Sequence, residues 1–420
     1  MDTPSQTVIV VGAGLVGLSS ALQLLRSGHR VTILDREPPL DGSYYRHACS
    51  FGNACTVAPH GVVPVATPGI AWRVPGMLAS PLGPLSIRWS YLWSLFPWLR
   101  AFLASSRNAE VERIAMVLST LLARADAAWR PLIAEAGAGD LIEEHGCIYL
   151  YKSERGGEAA ARDAAFREKH GVKLERLSAQ EVRDLEPHLA PLYRGGIWFK
   201  DAYVIASPER LARLLARAIV SRGGQFIAGV ACDLRVEGMS AVIRANDKVL
   251  SADRVVIAAG AWSRELAAKV GDHVLLDTER GYHVLFPQAR ELLTRPACYP
   301  EHGFYMTPMA DGLRAAGTVE LGGLEAPANW KRTMMIRKAV KTLVPSAGEG
   351  TSEWMGFRPS MPDSLPVIGS SPRTDRVIYA FGHGHLGVTM AGITGQLVSE
   401  LVTCARTSLD IDPLRSDRTL

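Results

Sequence analysis

The first forty residues contain two short apolar runs separated by a segment with helical spacing. Thr7 to Val11 and Arg30 to Asp35 are rich in β-branched and other apolar residues, which is typical of buried strands. Between them, Leu15 to Ser27 repeats its apolar residues at helical spacing. This order predicts a βαβ unit, which is half of a dinucleotide-binding fold.

Further along the chain, helical patterns occupy the middle third. The helix that begins after Ser207 has the clearest start, because Ser207 can cap it and Pro208 suits the first helical position. We expect that helix to run to about Ser221, before Gly223 and Gly224. The other predicted helices are 108–135, 159–169 and 178–185.

Short β patterns follow the helix that ends at about Ser221; they lie at 225–227, 232–237, 241–245 and 253–258. The run ending at Ala258 is apolar and is followed by small residues, so it can return to the first parallel sheet. Alternating patterns between Tyr282 and Leu324 predict a mostly antiparallel sheet in another domain. A last strand, glycine turn and helix run from Ile378 to about Ala405.

These patterns predict an α/β fold with a discontinuous Rossmann-like domain and an α+β domain that carries a mostly antiparallel sheet. We assign residues 1–68, 200–266 and 355–420 to the Rossmann-like domain, and 69–199 and 267–354 to the other.

Composition excludes several classes of protein. The 420 residues are 47% hydrophobic with a net charge of +4 and no basic run, so we expect an ordinary globular enzyme that binds no nucleic acid. Six cysteines without a C-x-x-C pair suggest neither a disulfide framework nor a metal site. The first strand begins at about Thr7, which leaves no room for a signal peptide, and no apolar run reaches about 18 residues. We therefore expect a cytoplasmic protein.

The segment 70–103 contains Trp72, Trp89, Trp93 and Trp98 among Leu, Pro and Arg residues. Such a composition fits a loop-rich cap over an apolar pocket, and it equally fits peripheral contact with a membrane. We favour the cap, and the membrane surface is the alternative.

The turn Gly12-Ala13-Gly14-Leu15-Val16-Gly17 between the first strand and the first helix is a G-x-G-x-x-G motif. Its glycines permit the tight turn, the approach of a pyrophosphate and the packing of helix on strand. Asp35 ends the second strand at the spacing where a carboxylate accepts hydrogen bonds from ribose hydroxyls. The motif predicts a dinucleotide, but FAD and NAD share it.

Three later segments, together with this motif, resemble the FAD-dependent D-amino-acid dehydrogenase and glycine/D-amino-acid oxidase family over essentially the whole chain. They are 256–263 (VIAAGAWS), 354–363 (WMGFRPSMPD) with 366–369 (PVIG), and 382–387 (GHGHLG). The resemblance implies FAD as the cofactor, with 1–68, 200–266 and 355–420 binding it and the remaining residues binding substrate. The implied FAD-binding residues are Gly12, Ala13, Gly14, Leu15, Val16, Gly17, Asp35, Arg36, Ser50, Asn53, Ala54, Val230, Ala259, Gly260, Trp262, Gly382, His383, Gly384, His385, Leu386, Gly387 and Thr389.

The resemblance also implies the substrate site. Arg358, in a Gly-Phe-Arg-Pro context, falls on the arginine that binds the substrate carboxylate, and a planar guanidinium suits that bidentate task. Tyr305 falls on the family's active-site tyrosine strand, and Tyr282 and His283 fall near a Gly-Tyr turn of the pocket. An ordinary salt bridge for Arg358 and simple packing for the other three are the alternatives.

No Ser/His/Asp, Cys/His or metal-ligand set stands out, which suits a reaction whose chemistry a flavin supplies. We expect oxidative deamination of a D-amino acid or a cyclic D-imino acid such as D-proline or D-hydroxyproline, with electrons passed to a quinone or another carrier. The alternatives are a glycine/sarcosine-type amine oxidase using oxygen, an NAD-dependent dehydrogenase and a non-catalytic flavin subunit. No cysteine lies in the 382–387 turn, so we expect non-covalent FAD; Cys49 and Cys55 leave a thioether as the alternative.

Overall fold

A computed structural model describes residues 4–79, 83, 85–300 and 303–420 of the chain. Its helices are α1 (Leu15–Arg26), α2 (Ile70–Ala79), α3 (Leu92–Ser105), α4 (Asn108–Leu122), α5 (Ala125–Glu135), α6 (Glu154–Lys169), α7 (Ala179–Leu185), α8 (Pro208–Ser221), α9 (Ser263–Lys269), α10 (Lys331–Leu343) and α11 (Gly387–Val402).

The strands of the first half are β1 (Thr7–Val11), β2 (Arg30–Asp35), β3 (Thr56–Val57), β4 (Leu85–Ile87), β5 (Ile142–Glu143), β6 (Cys147–Tyr151), β7 (Glu175–Ser178), β8 (Gly195–Phe199) and β9 (Tyr203–Ile205). The strands of the second half are β10 (Gln225–Ala228), β11 (Ala231–Glu237), β12 (Ser240–Ala245), β13 (Lys248–Ala252), β14 (Arg254–Ile257), β15 (Asp277–Phe286), β16 (Ala297–Tyr299), β17 (Phe304–Met309), β18 (Gly312–Leu321), β19 (Ser352–Ser360), β20 (Val367–Ser371) and β21 (Thr374–Phe381).

A six-stranded sheet in the order β10-β2-β1-β14-β21-β20 holds the N-terminal motif. All its pairings are parallel except that of β20 with β21. The apolar runs of β1, β2 and β14 are buried on both faces, as parallel strands between helices must be. Helix α11 packs so closely on α1 that a Cβ on Gly395 would lie 2.7 Å from the backbone of Ser19.

A second, larger sheet has the order β19-β15-β18-β17-β16-β6-β8-β7, with β4 paired to β18. Apart from the parallel pairs of β16 with β6 and of β18 with β4, its ladders are antiparallel. Helix α10 covers one face, where Ile336 and Val340 share a core with Tyr282 and Val284. The opposite face meets the segment after β2, since Arg314 donates to the carbonyls of Phe51 and Asn53.

These sheets confirm the predicted fold class, including the return of residues 254–257 and 374–381 to the first sheet. Ser207 caps α8 as predicted, because its hydroxyl accepts from the amide of Arg210. The division into two domains with the stated boundaries stays a prediction.

Three local predictions need correction. The segment 108–135 forms two helices, and the break lets α5 lie against Gly392 of α11, where a Cβ would come within 2.8 Å of Trp129 N. Helix α6 begins five residues before the predicted start, because Ser153 caps it and the Gly156-Gly157 pair is tolerated within it. The segment 70–103 is largely helical rather than loop-rich, and its residues 80–82 and 84 lie outside the described residues.

Candidate active site

The glycines of the 12–17 turn have separate structural roles. Gly12 has φ of 108°, and a Cβ there would lie 2.3 Å from the Ala258 carbonyl oxygen. A Cβ on Gly17 would lie 1.9 Å from the Gly12 oxygen. Gly14, in contrast, has no atom within 4 Å of its Cβ position. Packing therefore demands Gly12 and Gly17, whereas Gly14 leaves open space for a ligand.

Helix α1 starts at this turn without a side-chain cap and without an acidic residue in its first turn. Its first amide groups are free to bind a phosphate, and the helix dipole favours the anion. Asp35 fixes the turn, since its carboxylate accepts from the amides of Ala13 at 2.7 Å and Glu37 at 2.8 Å. Two carboxylate oxygens have capacity for about four bonds, so Asp35 can still accept from a ribose.

A cleft with a volume of about 470 Å³ runs along this edge of the first sheet. At one end the Arg36 guanidinium lies over the Trp262 ring, 4.3 Å from its centroid. The predicted cofactor residues that line the cleft are Gly12, Gly14, Leu15, Val16, Asp35, Arg36, Ser50, Asn53, Val230, Ala259, Gly260, Trp262, His383, Gly384 and Gly387. A cleft of this size, lined by the glycine turn and the uncapped start of α1, fits a dinucleotide cofactor.

Seven predicted cofactor residues are not part of this lining: Ala13, Gly17, Ala54, Gly382, His385, Leu386 and Thr389. Gly17 and Leu386 are packed inside the protein, and the Thr389 hydroxyl accepts from the Ala58 amide. Gly17, Leu386 and Thr389 therefore contribute to packing and hydrogen bonding behind the lining.

The glycine turn before α11 connects the two sheets. Gly382 and Gly384 have φ of 82° and 54°, and a bridge pairs His383 with Ser360 at the end of β19. The His383 ring is buried and bonded to the Thr394 hydroxyl at 2.9 Å. Burial lowers its pKa to about 3, so His383 is neutral at physiological pH.

His385 follows Gly384 in this turn and lies near Arg358; the region bounded by His385, Arg358 and Tyr305 is called the chamber below. Desolvation, together with the positive charges of Arg358 and Arg167, lowers the pKa of His385 to about 4. His385 therefore marks the region between the glycine turn and Arg358.

Arg358 reaches from β19 across the neighbouring strand β15 at Gly281. Its Nη1 donates to the Thr318 carbonyl at 2.9 Å, and its Nη2 contacts the Gly317 carbonyl at 3.5 Å. The guanidinium lies so close to Gly281 that a Cβ there would be 2.3 Å from Nη2. Across the described residues, no carboxylate oxygen lies within 4.0 Å of its nitrogens. Arg358 is thus a partly buried cation held by carbonyls and not by an ion pair.

A bulge in β18 supplies the first of these carbonyls. The pairing register of β15 against β18 shifts between Arg280 and Tyr282, and Thr318 adopts a φ of 60° there. A β-branched residue with positive φ is strained, and such strain clusters at functional sites. Here it accompanies a carbonyl that fixes the Arg358 guanidinium.

Tyr305 stands on the same sheet face, in the register row that also contains Ala316 and His283. Its hydroxyl is hydrogen-bonded to that of Tyr149. Burial raises the pKa of Tyr305 well above its usual value, so its hydroxyl stays protonated. The small residues Gly281 and Ala316 lie on this face between the two, and the Arg358 guanidinium occupies the space over Gly281.

The structure does not bring Tyr282 to this chamber. Its hydroxyl is bonded to Glu320 and accepts from the Asn329 amide on the α10 face of the sheet. His283 faces the chamber side, but its ring stacks on Trp354 and its Nδ1 is bonded to the Gly52 carbonyl at 3.1 Å. Burial lowers its pKa to about 3, so it acts as a neutral wall residue.

Several contacting residues were missed by sequence reasoning. Tyr45 lines the cleft, and no local pattern distinguishes it from a packing residue; Cys49, named above for the thioether alternative, lines the cleft as well. Phe357 and Pro359 also line it, and the two-residue period of β19 around Arg358 could have indicated that they share a face. Glu279, the direct partner of Arg358 on β15, was missed because cross-strand register is not visible in sequence.

A dinucleotide-binding cleft beside a guanidinium that backbone carbonyls hold is the arrangement expected of a flavin-dependent oxidoreductase. The chain belongs to the DAO family of FAD dependent oxidoreductases, whose model matches residues 7–401. FAD is therefore its cofactor, and the open Gly14 cradle and uncapped α1 suit the pyrophosphate.

Two curated relatives match over nearly their full lengths. One is a D-amino-acid oxidase of Bradyrhizobium diazoefficiens, 38% identical over 98% of this chain and 99% of the relative. Another is a D-amino acid dehydrogenase of Paramagnetospirillum magneticum, 30% identical over 98% of each. The structure of glycine oxidase from Geobacillus kaustophilus has the same fold, with a TM-score of 0.74, 22% identity and 99% coverage of both chains.

Proposed function

We propose that the protein catalyses FAD-dependent oxidative deamination of a D-amino acid or a cyclic D-imino acid, such as D-proline or D-hydroxyproline. The observation that carries this proposal is Arg358, a guanidinium pinned by two backbone carbonyls and free of any carboxylate within 4.0 Å in the described chain. A substrate carboxylate can complete its bonding in bidentate fashion. The names of the two relatives support the D-configuration.

The residues of the chamber position the substrate. FAD, when bound, supplies the acceptor for the hydride from the substrate α-carbon. Arg358 holds the carboxylate, and Tyr305 donates a hydroxyl hydrogen bond from the next strands. His385 is neutral and adds no charge, because its pKa is lowered to about 4. Fixing one end of the substrate in this way supplies much of the rate by orientation.

We further propose that a quinone or another carrier accepts the electrons. The oxygen-using alternative, a glycine/sarcosine-type amine oxidase, is supported by the relative named an oxidase and by the likeness to glycine oxidase in fold. Anaerobic reduction followed by admission of oxygen distinguishes the two. Reoxidation within seconds favours an oxidase, and slow reoxidation that a soluble quinone accelerates favours a dehydrogenase.

Anaerobic mixing of the holoenzyme with D-, L-, cyclic and N-methyl amino acids, followed by flavin absorbance, tests the substrate class. We expect bleaching by D-amino or cyclic D-imino acids. Arg358→Lys should lower kcat/KM by about 10- to 150-fold, the equivalent of the 1.5–3 kcal/mol of a charged bidentate bond. FAD content should stay unchanged. Unchanged turnover in the variant would remove the assignment, and so would the absence of any bleaching in the wild type. A flavin subunit without catalysis predicts the latter result.

A second proposal concerns the segment 70–103, for which we infer peripheral contact with an anionic membrane. Trp72 and Trp93 are 89% and 87% exposed, so these side chains do not cover a pocket as favoured from sequence. Trp98 alone of the four points inward, where its indole donates to the Ser360 carbonyl at 3.0 Å. Within the described chain, no helix is long and apolar enough to span a bilayer.

The charge of this segment selects the partner. Between residues 70 and 103 the sequence has no Asp or Glu but three arginines, Arg73, Arg88 and Arg100, of which Arg88 is paired with Glu320. Exposed indole rings beside arginines are typical of surfaces that enter the headgroup region of anionic lipid. Sedimentation with vesicles of phosphatidylcholine, with and without 30% phosphatidylglycerol, tests this. We expect binding only with the anionic lipid, and loss of binding in Trp72→Ser/Trp93→Ser. Equal binding to neutral vesicles, or none to either, would contradict the proposal.

A further inference from the structure

Glu279 lies directly beside the substrate arginine. It is on β15, and its register partner on the antiparallel strand β19 is Arg358. Direct partners in such a pair point to the same face, with Cβ atoms about 4.5–5.5 Å apart. The Glu279 side chain is buried, with 8% of its surface exposed. A carboxylate and a guanidinium thus share one buried position of the chamber wall.

The two charges do not close into an ion pair with each other. No nitrogen of Arg358 comes within 4.0 Å of a Glu279 oxygen, and Arg358 donates to backbone carbonyls instead. Among the described residues Glu279 has no other cationic partner at that distance, and the neighbouring Ser360 hydroxyl donates to the Arg358 carbonyl at 3.5 Å. Burying a carboxylate without a matched cation costs free energy, so packing alone does not account for it.

Glu320, on β18 of the same sheet, shows how this protein satisfies a structural carboxylate. Glu320 is 1% exposed. Its carboxylate accepts a hydrogen bond from Arg88 Nε at 2.8 Å and another from the Tyr282 hydroxyl. Glu279 has no such arrangement, although it is almost equally buried. Unpaired buried acids are typical of functional sites, where the ligand brings the missing charge.

We propose that Glu279 binds the amino group of the substrate and accepts its proton, while Arg358 binds the carboxylate. The proposal rests on the proposed function, because it requires a zwitterionic α-amino or α-imino acid. An N–H bond of the substrate ammonium breaks, its electron pair stays on nitrogen, and an O–H bond forms on Glu279. The resulting neutral amine is the form that can lose hydride from the α-carbon. The separate Glu279 and Arg358 charges match the two ends of such a zwitterion.

The charged groups around Glu279 decide its titration. Burial raises its pKa above the usual range, and the Arg358 charge opposes that shift. Asp277, two residues away on the same face, raises it further and is itself bonded to the Tyr91 hydroxyl at 3.0 Å. Arg264 acts on Asp277, and His385 lies on the far side of Arg358. A base with a raised pKa is better matched to an amine proton than an ordinary carboxylate.

Glu279→Gln tests the proposal, because it keeps the shape and removes the base. Two probes are used. One is the amino acid, from the set tested above, that reduces the flavin fastest; the other is its analogue with an oxygen atom in place of the amine nitrogen. For D-proline that analogue is D-tetrahydrofuran-2-carboxylate. We expect kcat/KM for the amino acid to fall at least 100-fold at pH 7, within the usual range for a general base. The low-pH decline of kcat/KM should disappear, while affinity for the analogue, read from flavin absorbance, should change less than threefold.

Asp277→Asn is the matched control, since it removes a neighbouring buried carboxylate from the same strand face. It should leave kcat/KM at pH 7 within threefold of wild type and keep an acid decline, which should move to lower pH because the Asp277 charge that raises the pKa of Glu279 is gone. Equal loss of affinity for both probes in Glu279→Gln, or an unchanged pH profile, would overturn the proposal while the proposed function stands. If no amino acid reduces the flavin of the wild-type protein, both the role of Glu279 and the proposed function are overturned. FAD content and Tm exclude misfolding as the cause.

Discussion

Gly281→Ala should separate the position of Arg358 from its charge. An added Cβ would lie 2.3 Å from Nη2 and 2.4 Å from Cζ of Arg358, whereas ordinary contact begins near 3.4 Å. The guanidinium must therefore retreat by roughly 1.1 Å, the difference between 3.4 and 2.3 Å. Gly281 does not have a positive φ, so alanine brings no backbone strain of its own. The charge stays, but its bonds to Thr318 and Gly317 are displaced.

A displacement of about 1 Å in a positioning group can cost about 100-fold in rate. Loss of bidentate geometry to the substrate carboxylate gives a similar range, about 10- to 150-fold in affinity. Stopped-flow flavin reduction under anaerobic conditions measures both the limiting rate and the apparent Kd. Gly139→Ala is the control, because its Cβ position has no atom within 4 Å. Wild-type kinetics in Gly281→Ala, with FAD bound, would refute the placement of Arg358 over Gly281.

Three further predictions follow from the geometry. Gly14→Ala should weaken FAD binding at least tenfold without lowering the Tm of the apoprotein, because its methyl enters only the open cradle; equilibrium dialysis and calorimetry measure the two effects. Gly17→Ala should instead destabilise the fold by about 1–3 kcal/mol, because its Cβ would meet the Gly12 carbonyl. Urea unfolding measures this loss. An equal Tm for Gly14→Ala and Gly17→Ala would contradict the pair of expectations. His283 and His383 have pKa values lowered to about 3, so the unfolded chain binds their protons first as the pH falls. Each should therefore destabilise the fold by up to about 1.4 kcal/mol for every pH unit below 6.5. Urea midpoints should fall less between pH 7.5 and pH 5 in His383→Asn than in the wild type.

Much of the first sheet was accessible from sequence because its signals are local. The apolar strands β1 and β2, the glycine turn and α1 follow one another within 35 residues, so pattern and motif coincide. The N-cap of α8 was equally local. The break between α4 and α5 lies beside a non-local contact with Gly392, whereas the early start of α6 depends on a local cap at Ser153 that sequence reasoning overlooked.

The second sheet was harder because its neighbours are distant in sequence. Strand β6 pairs with β16 across some 150 residues, and no periodicity within either strand reveals that pairing. Arg358 was predicted from its family motif, but its partner Glu279 depended on the register of β15 against β19. Register is a tertiary property, so residues that become neighbours through it are invisible to a local pattern.

The alternation of β15 explains why some predicted residues reach the chamber and others do not. Glu279, Gly281 and His283 share one face, whereas Arg280 and Tyr282 point to the other, where their hydrogen bonds lie with Gly323 and Glu320. A one-residue shift would exchange the two faces, placing Tyr282 on the face of Arg358 and pushing a side chain into the space over Gly281 that the Arg358 guanidinium occupies. Glycine at 281 and the site-facing position of Glu279 therefore belong to the same register. It is this register, rather than the arginine motif alone, that places Glu279 beside Arg358, as the proposed binding of both ends of a zwitterion requires.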